Sequence, residues 1–177
     1  MQPQLAFHFD DSMMVPRTQE VVATKEVESF THVAADLFCG AGGLSLGFES
    51  AGFKMAFAND INEEYAFTYE LNHPGTKFFT KSIEDLSTSE VLKKTGIHRT
   101  EVDLLIGGPP CQGFSINAPK RSLQDDRNHL FKEYGRLVLE GLRPKVIVME
   151  NVPGMVSLDG GKFIREIYGL FRLAEVQ

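Results

Sequence analysis

The sequence is short of several features that whole classes of protein depend on. Only two of its 177 residues are cysteines, Cys39 and Cys111, too few for the cystine framework of a small secreted domain. No run approaches the roughly 18 consecutive apolar residues that a membrane-spanning helix needs. The opening MQPQLAFHFDDSMMVPR lacks a basic start followed by an apolar block, so no secretory signal and a cytoplasmic location are expected. Positive charge is also scarce: 18 basic residues against 24 acidic ones leave a net charge of −6. That balance shows no electropositive nucleic-acid groove. The five histidines have no metal-ligand spacing, and no metal site is expected.

What remains is ordinary globular composition, 42% hydrophobic and 24% charged, in a chain long enough to bury a core without disulfides. Residues 1–31 stand apart. They carry Asp10, Asp11, Glu20, Glu26 and Glu28 against Arg17 and Lys25, with no sustained apolar period, and read as a flexible acidic leader before a domain over 32–177. From His32 onward, short apolar runs alternate with amphipathic stretches. Strands are expected at Val33–Phe38, Lys54–Asn59, Lys77–Thr80, Val102–Ile106 and Lys145–Met149, the last two of the buried type. Helices are expected at Gly43–Ala51, Glu63–Asn72, Ser87–Lys94, Asn128–Gly141 and Lys162–Ala174. Ser87 and Glu90 have capping-box spacing. Strand and helix alternate five times, which predicts an α/β fold with a parallel sheet covered by helices on both faces.

Four clusters carry chemistry. In DLFCGAGGLSLGF, Asp36 to Phe48, a strand runs into Gly40, Gly42 and Gly43 and then opens a helix. Such glycines permit a tight turn and let a ligand approach backbone amides. Ser45 occupies the third glycine position of the dinucleotide fingerprint. Asp60 ends the second strand, 18 residues beyond Gly42, where an acidic residue commonly accepts hydrogen bonds from ribose; it could equally cap the next helix. Loop and carboxylate together indicate an adenosine-bearing cofactor. The third cluster, GGPPCQGFS from Gly107 to Ser115, puts Cys111 just beyond a buried strand, with two prolines restricting its direction. A rigid Pro-Pro-Cys loop suits a nucleophile better than a core filler. The fourth, MENV from Met149 to Val152, places Glu150 on the same sheet edge. In a dry pocket that carboxylate would have a raised pKa and could donate as well as accept a proton.

These four elements, in this order, resemble the DNA (cytosine-5) methyltransferase family from about Ala35 onward. The resemblance implies a Rossmann-like methyltransferase sheet, S-adenosylmethionine as cofactor and a restriction–modification type of role. It implies that Cys111 is the thiolate that adds to C6 of a flipped-out cytosine, and that Glu150 contacts N3 and the exocyclic amine. For the cofactor it implies Phe38, Gly40, Ala41 and Gly43 in the loop, Asp60 on the ribose, Ile61 and Ile83 beside the adenine, and Pro110 and Leu130 as further wall. Ser82 stands where the family usually has Asp, and Arg127 matches an arginine in the segment after the catalytic loop. Lys120 and Arg121 are either phosphate contacts or part of a solvated loop, and Cys39 reads as a packing residue.

The family pattern continues with a further arginine motif, a target-recognition region and a last cofactor segment, none of which follows here. Two histories fit: a truncated methyltransferase, or an amino-terminal half that a second polypeptide completes. Either way double-stranded DNA should bind weakly to this chain alone, and Lys145–Met149 should lie at an open apolar edge. A tRNA-directed member of the same family and a non-catalytic remnant or partner subunit are the alternatives.

Overall fold

Four loop-and-helix connections separate five apolar runs, and none is a hairpin-length turn. Strands joined this way lie parallel, with their connecting helices packed on the faces. The computed structural model describes residues 32–110, 130–153, 156 and 158–172. Its strands are β1 (His32–Leu37), β2 (Phe53–Asp60), β3 (Lys77–Thr80), β4 (Leu104–Gly107) and β5 (Val146–Met149). They form one sheet in the order β3-β2-β1-β4-β5, every neighbouring pair parallel. The helices are α1 (Gly43–Ser50), α2 (Glu63–Asn72), α3 (Thr88–Thr95), α4 (Leu130–Arg136) and α5 (Lys162–Arg172).

Alternation along the strands sorts the side chains into two layers. Ala35, Leu37, Phe57, Phe79 and Leu105 face α3 and α4 and pack with Val91, Tyr134, Leu137 and Leu142. On the opposite face Ala34, Met55, Leu104 and Ile106 meet Leu44 and Phe48 of α1, while Tyr69 of α2 covers Ala58 and Phe78. Each fully buried large apolar side chain contributes about 1.5–3 kcal/mol. The buried Tyr134 adds a polar tie: its hydroxyl donates to Leu105 O at 2.9 Å and lies 3.4 Å from Val148 O. Tyr134→Phe is expected to lower stability by about 1 kcal/mol, read as a shifted denaturant midpoint with unchanged slope.

The helix starts follow local chemistry. Asn62 Oδ1 accepts from Glu64 N at 2.9 Å, and Ser87 Oγ accepts from Glu90 N at 3.2 Å. Only half of the expected capping box forms at Ser87. The Glu90 carboxylate instead takes Lys81 Nζ at 2.8 Å and Lys94 Nζ at 2.7 Å, and these ammonium groups push its pKa down to about 2. Two charged donors outcompete one backbone amide for a carboxylate.

Two expectations need correction. Lys145–Met149 is not buried on both faces: Ile147 and Met149 pack inward, but Val146 is 55% and Val148 37% exposed. Among the described residues β5 ends the sheet and is covered on the α4 side alone, which is the open apolar edge also expected for this run. The helix expected over Asn128–Gly141 is α-helical only over Leu130–Arg136 and continues as a π-helix over Leu137–Leu142, while positions 128 and 129 lie outside the described residues. So do the leader over 1–31 and residues 173–177. Among the described residues no helix is long and apolar enough to cross a membrane.

Candidate functional site

The strand order reverses between β1 and β4: β1 connects leftward to β2, and β4 connects rightward to β5. Ligands on open parallel sheets sit at such a switch point, outside the carboxyl ends of the strands. Register brings the sequence clusters to that edge. Leu37 pairs with Asn59 and with Gly107, and Gly107 pairs with Met149. The glycine loop, Asp60, Gly108–Pro110 and Glu150 therefore all leave the sheet at one end.

In the loop, Phe38, Gly40 and Gly42 have φ of 57°, 53° and 95°. This left-handed path folds the chain back so that Gly42 becomes the N-cap of α1 with no side-chain cap. Gly42 thus offers no side-chain acceptor to the first turn of α1, where a helix start can take an anionic or polar ligand. Ala41 and Gly43 are exposed, and a Cβ built on Gly40 or Gly43 would meet nothing within 4 Å. Asp60 anchors the loop: Oδ2 accepts from Gly40 N and Oδ1 from Asn62 N, each at 2.9 Å. It thus joins the glycine turn to the start of α2. Ile61 beside it is 69% exposed.

Behind the loop lies a polar network. Ser45 Oγ donates to Asp36 Oδ2 at 2.7 Å and lies 2.6 Å from Tyr69 Oη. His73 Nδ1 contacts Glu49 Oε2 at 2.7 Å, and its ring lies 4.3 Å from that of Tyr69. Asp36, Ser45, Tyr69 and His73 are all buried, and among the described residues Asp36 Oδ1 has no hydrogen-bond partner. Burial raises the Asp36 pKa to about 6 against the opposing bond from Ser45. Burial likewise pushes the Cys39 thiol well above its ordinary range, consistent with a packing role.

On the other side of the switch point, Glu150 N donates to Gly107 O at 2.9 Å. Asn151 Nδ2 donates to Pro109 O at 3.0 Å, so the end of β5 holds the Pro-Pro segment. Glu150 Oε2 lies 3.2 Å from where a Cβ on Gly108 would sit. Glu150 is exposed. The dry pocket expected around it is not formed by the described residues, because β5 is the edge of the sheet. Pro110 and Leu130 are half-buried, whereas Ile83 lies in the core, 3% exposed, its carbonyl accepting from Arg136 Nη2 at 2.9 Å. Ser82 Oγ is engaged locally with Glu84. Cys111, Lys120, Arg121 and Arg127 lie outside the described residues.

Sequence reasoning missed the network behind the loop and the role of Asn151. Ser45 reads there only as a departure from a glycine pattern, and His73 only as the end of a helix. The missed partners are 24 residues apart in the Ser45–Tyr69 and Glu49–His73 pairs, beyond any local signal.

Residues 33–174 match the family model described as C-5 cytosine-specific DNA methylase. Type II methyltransferase M.XorII of Xanthomonas oryzae pv. oryzae is 42% identical over 140 residues, which cover 79% of this chain and 32% of that protein. Type II methyltransferase M.AgeI of Thalassovita gelatinovora is 42% identical over 132 residues, 75% of this chain and 30% of that one. An Escherichia coli prophage protein described as a DNA modification methyltransferase has a crystal structure that superposes with a TM-score of 0.66 at 34% identity, covering 80% of this chain and 38% of that one. The chain thus spans about a third of the length of the curated relatives it matches.

Proposed function

The chain belongs to the C-5 cytosine-specific DNA methylase family, and from that premise we propose that it carries the cofactor-binding and cytosine-activating part of a DNA cytosine-C5 methyltransferase. The observation that carries the reading is the meeting of the two clusters at one switch point. A glycine loop opening an uncapped helix, with Asp60 at its side, lies on β1 and β2. Glu150 and the Pro-Pro segment lie on β4 and β5, joined by Asn151.

The residues present fit S-adenosylmethionine. The open space over Gly40 and Gly43 admits a ligand against the loop, and the carboxylate of Asp60, tied to Gly40 N, would accept from the ribose hydroxyls. Ile61 offers an exposed apolar surface to an adenine ring. The sulfonium of this cofactor supplies an electrophilic methyl group. Ile83 keeps its side chain in the core, so any part it has at the adenine is through the backbone of the Ser82–Ile83 turn.

Cytosine C5 is a poor nucleophile until C6 is substituted. Cys111, as thiolate, adds to C6 and pushes electron density toward C5 and N3. Glu150, exposed at the sheet edge, then meets N3 and the exocyclic amine of the base and holds the proton that balances this charge. After methyl transfer, water as base takes the C5 proton, the freed electron pair forms the C5–C6 double bond, and the C6–S bond breaks to return Cys111 as thiolate. The base must leave the duplex stack to present C6 to the thiolate. Double-stranded DNA is the proposed substrate, bound weakly by a chain of net charge −6. A second polypeptide or further segment supplies the remaining contacts. The E. coli neighbour, described as a DNA modification methyltransferase, favours DNA over the tRNA-directed alternative.

The test is trapping. Duplex DNA containing 5-fluorocytosine is incubated with S-adenosylmethionine and the chain, alone and together with the part of the Xanthomonas relative outside the match. Fluorine cannot leave C5 as a proton does, so an adduct stable to denaturing electrophoresis is expected with the second polypeptide present. Cys111→Ser should abolish it and lower methyl transfer by about a thousandfold or more. Absence of any adduct in both arms sinks the catalytic reading.

A further inference from the structure

α1 and α2 lie on one face of the sheet, and α2 reaches α1 at three points. Tyr69 Oη lies 2.6 Å from Ser45 Oγ in the first turn of α1, and one turn later Glu49 Oε2 meets His73 Nδ1 at 2.7 Å. The third point is Gly42, where the contact is with the backbone itself. A Cβ on Gly42 would lie 2.2 Å from His73 Nε2 and 2.7 Å from its Cδ2, so one edge of the imidazole rests against the glycine. That ring is itself fixed. His73 closes α2, its backbone N–H donating to Tyr69 O at 2.9 Å. Its ring lies 4.3 Å from that of Tyr69, and its side chain is 1% exposed. A buried imidazole that keeps its hydrogen-bond partner is a rigid element.

Gly42 is the joint between the glycine loop and α1. Its N–H donates to Cys39 O at 3.0 Å, and its carbonyl accepts from Leu46 N at 2.9 Å. It is buried, whereas Ala41 and Gly43 on either side of it are exposed. The loop is thus pinned inward at Gly42, and again at Gly40, whose N–H donates to Asp60 Oδ2. Both pins come from one continuous stretch. Asp60 also takes Asn62 N at the start of α2, and His73 ends that helix. With a φ of 95° and no neighbour to hold it, Gly42 would populate other backbone conformations about as readily. A ligand that fits one of them loses affinity in proportion to the fraction of chains that hold it.

We propose that His73 is a positioning residue for the cofactor: its imidazole, held by Glu49, keeps Gly42 in the left-handed path that presents the glycine loop and the start of α1. The proposal rests on the S-adenosylmethionine reading of that loop for the identity of the ligand. His73 touches no reacting atom. It is buried on the inner side of the turn and acts on the cofactor through Gly42. Loss of the ring edge frees one pin of the loop, while Asp60 still holds the other.

In the experiment the full chain is compared with His73→Ala and His73→Asn, each well below its own unfolding midpoint. Asn puts a donor where Nδ1 stood and can keep Glu49, but it has no ring edge to lay against Gly42. If the Ala variant fails to fold, the Asn variant carries the comparison. Calorimetry reads S-adenosylmethionine affinity, and hydrogen exchange reads the amides of Gly42 and Leu46. Both variants are expected to weaken binding about tenfold or more and to speed exchange at these two amides, while β4 keeps its protection. Saturating S-adenosylmethionine should return both amides to the wild-type rate, because the ligand then selects the turn that His73 no longer holds. Val91→Ala, in the core on the opposite face of the sheet, is the control for stability alone: its unfolding midpoint falls and its affinity stays. Unchanged affinity in the His73 variants overturns the proposal. So does unchanged exchange at Gly42 and Leu46, exchange that the bound ligand does not slow, or an equal loss of affinity in Val91→Ala. In each of these cases the wild-type chain still binds, and the cofactor reading stands. A wild-type chain that binds no S-adenosylmethionine sinks the cofactor reading itself and overturns the proposal with it, even where the variants free Gly42.

Discussion

Gly42→Ala is expected to lower the unfolding midpoint by on the order of 10 °C, whereas Gly43→Ala, one residue on, should leave it nearly unchanged. Gly42 has a φ of +95°, and a Cβ there would lie 2.2 Å from His73 Nε2 and 3.0 Å from the Tyr69 ring. The left-handed conformation costs a non-glycine residue about 1–2 kcal/mol. Displacing a buried imidazole that is held by Glu49 at 2.7 Å adds a similar amount, for a total of about 3 kcal/mol. Gly43 has no positive φ, and its Cβ would meet nothing within 4 Å. That open space is where the proposed cofactor approaches the loop. Gly43→Ala should thus keep its stability but weaken S-adenosylmethionine binding by about tenfold or more, as calorimetry would show. Equal melting temperatures for the two variants would refute the packing of His73 against the turn. Unchanged binding in the Gly43 variant would place the cofactor elsewhere.

The second large effect is in the pH dependence of stability. Asp36 is fully buried, and its pKa rises from an ordinary 3.8 to about 6 because burial penalises the carboxylate. For an acid with a raised folded-state pKa, the folded state binds the proton more tightly than the unfolded chain does. This contribution is fully present below pH 4, declines as pH rises through the window from about 4 to 6, and is gone above it. The amplitude is about 3 kcal/mol at 1.36 kcal/mol per pKa unit. Asp36→Asn keeps an oxygen to accept from Ser45 and removes the titration. Denaturant melts from pH 4 to pH 7 should show the wild type losing about 3 kcal/mol more than the variant, which becomes the more stable of the two at neutral pH. Parallel profiles would mean that the carboxylate is solvated, and that the unpartnered Oδ1 has water or a donor beside it.

The parallel α/β fold was legible from the alternation of five apolar runs with amphipathic stretches. Glu63–Asn72 and Lys77–Thr80 were bounded as the structure has them, since His73-Pro74 stops the helix and Gly75 turns the chain. Ser87 is an N-cap, as its spacing implies. The glycine loop and the Glu150 strand end were legible as well, because short motifs of unusual residues stand out against ordinary composition. Less legible were the partners of a side chain. Glu90 followed two lysines instead of its own helix start, and Asp60 proved to be a tie between Gly40 and Asn62 as well as a candidate ribose ligand. Such choices depend on which donor arrives from another element.

By itself the sequence determined the class of fold, the order of the chemistry-bearing motifs and the family, because apolar period and motif spacing are properties of the chain alone. Only the tertiary structure decided that Ser45 bridges Asp36 and Tyr69, that His73 backs the Gly42 turn, and that Asn151 holds the Pro-Pro segment. It also decided which members of the apolar edge run face outward, Val146 and Val148. An apolar strand carries the same residues at the centre of a sheet as at its edge. What covers it is settled by the elements that pack against it, and among the described residues β5 has them on one face only.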